Sequence, residues 1–314
     1  MNKLHISSSV HICSPITTRK IMIDVVISLI PSVIAGSVIF GGRALIVIFA
    51  SVAAAVLSEH LFCLFTKRES TVCDFSAVVT GIILGLNLHA DIPIWQVILG
   101  ALFASLLVKC LFGGIGQNFA NPAAAARVFL IASFSGSLSG GAIPKLSNYP
   151  ELVSGATVLE VMKNGGELPP LSEMFLGLRG GSIGETCAFA IILGFVYLVA
   201  KKVINFEAPL VFVLTIFILY LIADKSLSSA LYGILAGSAL FASVFMITDY
   251  SSTPITRAGR MIFAFACAVM TFLIRRYGSY PEGVSFAILI MNILTPYIEK
   301  ITQPKPFGGK IKKA

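Results

Sequence analysis

Charged side chains are scarce in this chain: Asp, Glu, Lys and Arg make up 12% of its 314 residues, against 56% apolar ones. A water-soluble globule of this length needs far more polar surface, which leaves the bilayer as the solvent. No secretory leader is expected, because residues 1–20 are polar and basic with no adjacent small-residue cleavage pattern. The six cysteines (Cys13, Cys63, Cys73, Cys110, Cys187 and Cys267) form no CxxC pair, and none falls in the one long hydrophilic loop. That argues against a disulfide framework. There is no Walker A loop, no HExxH and no GxSxG elbow, so an ATPase, a metalloprotease and a serine hydrolase have no support.

What the chain does have is apolar length. A helix needs about 20 predominantly apolar residues to cross the hydrocarbon. Ten such runs are present, at 22–40, 44–65, 74–88, 92–112, 122–137, 183–200, 207–223, 227–247, 259–275 and 281–299. The formal charge is +8, but the basic residues lie between the runs and in a tail from Lys300 to Lys313. That distribution fits membrane orientation and not nucleic-acid binding. Ten crossings leave both ends on one side. The loops and tail of that side hold fifteen Lys and Arg, against Arg43, Lys225, Arg275 and Arg276 in the short loops opposite. Both termini are therefore expected in the cytoplasm and the long loop outside. Arg275 and Arg276 break the pattern, and acidic residues of the outer loop are their expected partners.

The expected organisation is a first membrane half (1–137), an extracytoplasmic loop (138–182), a second membrane half (183–299) and a basic cytoplasmic tail (300–314). Five runs precede the loop and five follow it, so the expected fold is an all-α polytopic membrane protein. Its ten transmembrane helices would form two inverted five-helix repeats. The fifth run opens with Asn121-Pro122 and the tenth with Tyr280-Pro281, each after a Gly-containing turn. Pro suits the first helical position and Asn121 an N-cap. The fifth run gives way early to Ser135-Gly136-Ser137, as a broken or re-entrant helix would. Interrupted segments in matching places of two halves point to a midplane binding site.

The loop contains Ser154-Gly155-Ala156-Thr157 followed by Val158-Leu159. Three small residues let the segment enter another enzyme's active site and later sit beside a large ring. Thr157 offers an unhindered hydroxyl for phosphoryl transfer. The motif is similar to the signature at which a flavin transferase attaches FMN through a phosphoester. On that reading Thr157 carries the FMN, and Ser154, Gly155, Ala156 and Leu159 belong to the recognised motif. The alternative is a turn leading into a helix capped by Ser154 or Thr157.

Further segments occur in order along the chain: Asp74-Phe75-Ser76-Ala77-Val78-Val79-Thr80-Gly81, Gly114 to Ala123, the TDxxxxPxT segment Thr248 to Thr256, and Pro281 to Ala287 with Met291-Asn292. Together with the loop motif they resemble the RnfD/NqrB family over nearly the full length. The lack of the N-terminal extension of NqrB-type proteins favours the RnfD side, and Val158 stands where many relatives have Pro. The resemblance implies a membrane flavoprotein subunit that relays electrons in an Rnf-type ferredoxin:NAD oxidoreductase coupled to Na⁺ or H⁺ translocation. It implies the bacterial cytoplasmic (inner) membrane, the A, B, C, E and G subunits of the Rnf complex as partners, and a flavin transferase for maturation. No soluble redox domain is present in the chain, so ferredoxin and NAD chemistry would fall to those partners. Two other readings remain: an NqrB-type subunit of a Na⁺-translocating quinone reductase, and a ten-span solute channel or transporter.

A second flavin, riboflavin or FMN held without a covalent bond between the half-helix starts, is expected near Asn121, with Arg127 and Asp249 as further candidates. A charge such as Arg127 costs roughly 2.5–3.5 kcal/mol at mid-bilayer on insertion scales. It is read either as structurally paired or as contacting a flavin or an ion path. Asp249 is read as a loop ion pair with Arg257 or Arg260, or as part of a shaped binding loop. Asp24 and Glu59-His60 are read as solvated interfacial groups or as a cation entry path. Cys63, Cys73 and Cys110 are read as packing groups or as partial ligands of an iron–sulfur site.

Overall fold

The computed structural model describes residues 16–68, 71–138, 142, 144, 157–164, 166, 168–278 and 282–304. Ser154, Gly155, Ala156 and Pro281 lie outside the described residues. Within lipid every backbone N–H and C=O must be satisfied inside its own segment, which selects helices. Each of the ten apolar runs contains helix: α1 Thr18–Phe40, α2 Gly42–Thr66, α3 Ser76–Leu86, α4 Ile94–Leu102, α5 Pro122–Ser133 (then α6 Ser135–Leu138), α9 Ala188–Ala200, α10 Glu207–Asp224, the pair α11 Leu227–Leu235 and α12 Ala239–Phe245, α13 Arg257–Tyr277 and α14 Val284–Thr302. Between the halves lie α7 Val158–Asn164 and α8 Leu171–Leu176. Among the described residues the only strand-like pairing is a bridge between Ala142 and Gly181.

Among the described residues five helices, α1, α2, α10, α13 and α14, are long and apolar enough to cross a membrane, and α11 with α12 makes a sixth if that pair, bent by 53°, is one span. The other four apolar helices are shorter than the runs they sit in. The reasons are local. α3 starts only after Phe75, whose φ of 65° breaks the helix, and stops at Asn87, whose side-chain amide donates to the Ile83 carbonyl at 2.7 Å. α5 begins at the Pro122 that follows its cap and ends at Phe134. α4 continues as a π-helix over Phe103–Cys110, a widened turn that often marks a functional position.

Large apolar side chains point outward, Phe49, Phe65 and Ile222 among them, while Ser28, Ser51 and Ser58 are buried. The buried hydroxyls donate to helix carbonyls: Ser28 to Val25, Ser58 to Ala55, and Ser51 across the interface to Gly81. An apolar exterior over a partly polar interior suits lipid as the solvent.

α3 lies directly on α2. A Cβ added at Gly81 would stand 2.6 Å from the Val52 Cα, and one at Gly85 would stand 2.9 Å from the Ile48 Cα. This is a GxxxG contact, in which missing side chains let two backbones approach and gain dispersion that lipid does not otherwise supply.

Candidate functional site

Two polar regions lie inside this apolar body, joined by α5. The first is a partly open pocket at the start of α5. Met22, Val79, Ile83, Leu198, Val244 and Phe245 form its apolar wall; Ser76, Thr80, Lys109, Asn118, Asn121, Thr248 and Asp249 form the polar one. Its lining, largely apolar with a few convergent polar groups, is of the kind found in small-molecule sites. A neighbouring recess lined by Thr18, Ile21 and Gly116 shares Met22, Ile115, Asp249, Tyr250 and Ser251 with the cavity. Gly113, Gly114 and Gly116, with φ of 118°, 98° and 84°, make the turn that carries Ile115 to the cavity, a path that side chains with Cβ atoms rarely follow.

Asn121 is the N-cap of α5, as its sequence position implies: its Oδ1 accepts from the Ala123 and Ala124 N–H groups, both at 3.1 Å. Its Nδ2 donates to the Met246 carbonyl just beyond α12. The Asn292 amide, in the orientation that satisfies it, accepts from the Asn121 N–H at 2.9 Å and donates to the Ser252 carbonyl at 3.1 Å. One asparagine thus ties the start of α5 to the middle of α14 and the end of α12.

Asp249 lines the same cavity but is not paired as expected. It accepts hydrogen bonds from the Ser251 N–H and from the Ser251 and Ser252 hydroxyls, whereas Arg257 pairs with Glu207. Burial raises its carboxyl above the usual range, against those hydrogen bonds. Asp249 is therefore the centre of a shaped loop and not half of a solvated ion pair.

The second region is a buried charge cluster. Arg127 donates to Glu185 at 2.7 Å, to Glu282, to Asn87 Oδ1 at 2.7 Å and to the Ser182 hydroxyl at 3.3 Å. The guanidinium meets ligands from the end of α3, the segment before α9 and the segment before α14, so it sits where both halves converge. Arg127 is not among the residues lining the inner cavity. Two further arginines close the break between α11 and α12. Arg275 donates to the Gly233 carbonyl at 2.7 Å and the Ala236 carbonyl at 3.1 Å, and Arg179 donates to the Leu235 carbonyl at 2.5 Å and the Glu185 carbonyl at 3.0 Å. The last carbonyls of a helix have no partners of their own kind, and here guanidiniums supply them. This corrects the expected pairing of the two arginines that break the charge pattern: Arg275 is buried on helix carbonyls, and Arg276 pairs with Asp224 at 2.9 Å.

Thr157 begins α7. Its Oγ1 accepts from the Glu160 N–H at 3.3 Å while Glu160 Oε2 accepts from the Thr157 N–H at 3.3 Å, a capping box. Leu159 is buried with Val158, Met174, Tyr232 and Ala236, which docks this helix on α11. Leu159, Met162 and Lys163 also line an open cavity with Tyr220, Arg275 and Arg276.

Residues 5–308 match the sequence profile of the NQR2, RnfD, RnfE family. The chain belongs to this family. It is 40% identical over 320 residues to the D subunit of the Na⁺-translocating ferredoxin:NAD⁺ oxidoreductase complex of Acetobacterium woodii, covering 100% of this chain and 99% of the relative. It is 36% identical over 323 residues to the D subunit of the proton-translocating ferredoxin:NAD⁺ oxidoreductase complex of Clostridium ljungdahlii, covering 98% and 97%. It is 32% identical over 328 residues to the D subunit of the ion-translocating oxidoreductase complex of Stutzerimonas stutzeri, covering 92% of each.

In this NQR2, RnfD, RnfE family member some buried groups escape a reading by sequence. Glu59 is buried, not solvated at an interface: it pairs with Lys109 at 2.7 Å, with side chains 1% and 3% exposed. Lys109, near the end of the 92–112 run, counts in the sequence only as one more cytoplasmic charge. Glu185 and Glu282 sit inside apolar runs, and that signal, an ionisable residue within a span, could have marked them. Asp24 accepts from the Tyr197 hydroxyl at 2.9 Å, linking α1 to α9. Cys63 and Cys110 are buried and Cys73 is exposed. Among the described residues no group of three His, Cys, Asp or Glu is placed to hold a metal ion.

Proposed function

We propose that this chain is the membrane-integral electron-relay subunit of an ion-translocating ferredoxin:NAD⁺ oxidoreductase complex. The observation that carries the reading is its similarity, end to end, to the D subunits of such complexes in Acetobacterium woodii and Clostridium ljungdahlii. Its partners are then the A, B, C, E and G subunits of the Rnf complex, which hold the ferredoxin and NAD chemistry. The chain crosses the bacterial inner membrane ten times, in two inverted five-helix halves, with both termini cytoplasmic and residues 138–182 outside. The equal division of apolar helices about α7 and α8 supports this arrangement.

Thr157 carries FMN through a phosphoester installed by a flavin transferase. The surroundings fit that group. The Thr157 hydroxyl oxygen already serves as an acceptor in its capping box, and esterification removes its hydrogen but not its lone pairs. The cavity beside α7 offers apolar carbon from Leu159 and Met162, the Tyr220 ring and the cations of Lys163, Arg275 and Arg276. That combination suits a planar ring with electron-rich edges. The flavin supplies the redox chemistry, and the protein binds, orients and tunes it.

A second flavin, riboflavin or FMN, occupies the inner cavity without a covalent bond. Apolar walls from α1, α3, α9 and α12 face its ring, and Asn118, Asn121 and Asp249 offer amide and carboxyl groups to its edge. The intact mass of the chain, produced with its transferase, is expected to exceed the sequence mass by one FMN phosphoester. Thr157→Ala is expected to show no excess, and a wild-type chain of bare mass in an active complex rules the attachment out.

A further inference from the structure

A buried ion pair in an apolar body needs a reason beyond stability, because a well-packed hydrophobic pair of the same volume serves at least as well. Lys109 and Glu59 are such a pair. The Lys109 ammonium donates to Glu59 Oε2 at 2.7 Å and to the Ser76 hydroxyl at 2.6 Å. Each acceptor is held in turn: Thr71 donates its hydroxyl to the other Glu59 oxygen, and Ser76 donates its own to Asp74. Lys109 lies on the π-helix, between Val108 and Cys110, which are buried with it.

Both Lys109 and its partner Ser76 line the inner cavity, whose other charged lining residue is Asp249 on the loop beyond α12. We propose that Lys109 is the charge-compensating residue of that cavity and that Glu59 is the positioning residue holding its ammonium at the wall. This rests on the reading that the cavity holds the non-covalent flavin. A flavin held there would supply one-electron chemistry, the electron coming from a reduced partner of the complex, and would add one negative charge for the wall to balance. An ammonium fixed at the wall would lower the cost of that charge. Glu59, and Asp74 one hydroxyl away, are the carboxyl groups that this hydrogen-bond network sets beside the ammonium.

The test is a redox titration of the intact complex, following the flavin released by acid separately from the flavin that stays on Thr157. Lys109→Met removes the cation, and the midpoint potential of the releasable flavin is expected to shift negative. Glu59→Gln leaves the cation without its nearest counter-charge, and the same potential is expected to shift positive. Lys109→Arg is expected to stay near wild type, and the potential of the Thr157-bound flavin to stay put throughout. Shifts of one sign in both variants, or none, overturn the inference while leaving the flavin reading intact. Should Lys109→Met fail to assemble, Glu59→Gln decides alone: a positive shift supports the inference and an unchanged potential overturns it. A wild-type complex that releases no flavin overturns the two together.

Discussion

At the scale of single residues, the charges that apolar composition makes expensive are placed where helices stop. Arg127 holds Glu185, Glu282 and Asn87 from three segments, and Arg275 and Arg179 occupy the carbonyls that α11 leaves free. Removing one member of a buried pair costs about 3–5 kcal/mol, because its partner keeps its desolvation penalty. Arg127→Leu is therefore expected to lower the thermal midpoint of the detergent-solubilised protein strongly. Adding Glu185→Gln and Glu282→Gln to it should recover much of the loss, since no bare carboxylate is then buried. A thermal shift series on the single and triple variants checks both. The sequence singles out Arg127 by its cost. It does not show the ligands, because Glu185 and Glu282 are 58 and 155 positions away in the chain.

At the scale of elements, close helix packing depends on missing side chains. Gly81→Ala places a methyl against the backbone of Val52, which cannot rotate away, so α2 and α3 must separate. Overpacking of this kind costs about 1–3 kcal/mol. Gly42→Ala has nothing within 4 Å of the new methyl and is the matched control. It should be neutral or gain about 0.4–1 kcal/mol through the unfolded chain. Thermal midpoints of the two variants in one detergent separate these outcomes. Helix positions are legible because apolar runs and the Asn121-Pro122 cap are local signals. The π-helix at Phe103–Cys110 is not, since its composition is that of any apolar helix. Lys109, near the end of its apolar run, counts in the sequence as a cytoplasmic charge, whereas it belongs to a buried pair.

At the scale of the whole molecule, the proposed ten-crossing topology makes a vectorial prediction. In a cysteine-free background, Cys73 restored alone should react with a membrane-impermeant maleimide only in inside-out vesicles, where it is exposed. Ser147→Cys, in the loop between the halves, should react only from the outside of intact cells. Reaction of both from one side would remove the inverted arrangement. The tie between halves is visible in the packing of α5 on α14 and of α1 on α9. The Arg127 cluster adds electrostatic contacts at the same seam.

Composition and apolar run length determined by themselves that this is a multi-helix membrane protein, because hydration of so few charged groups cannot carry a soluble surface. The order of the quoted motifs likewise sufficed for the family, and the capping potential of Thr157 and Asn121 followed from residue type and local spacing. Only the tertiary structure decided which charges are buried together, that Asp249 organises a loop and does not pair with Arg257, and that Arg275 completes a broken helix. Those outcomes depend on contacts between residues far apart in sequence. In a medium of low dielectric the arrangement of such contacts sets whether a charge is tolerated, and no local pattern encodes it.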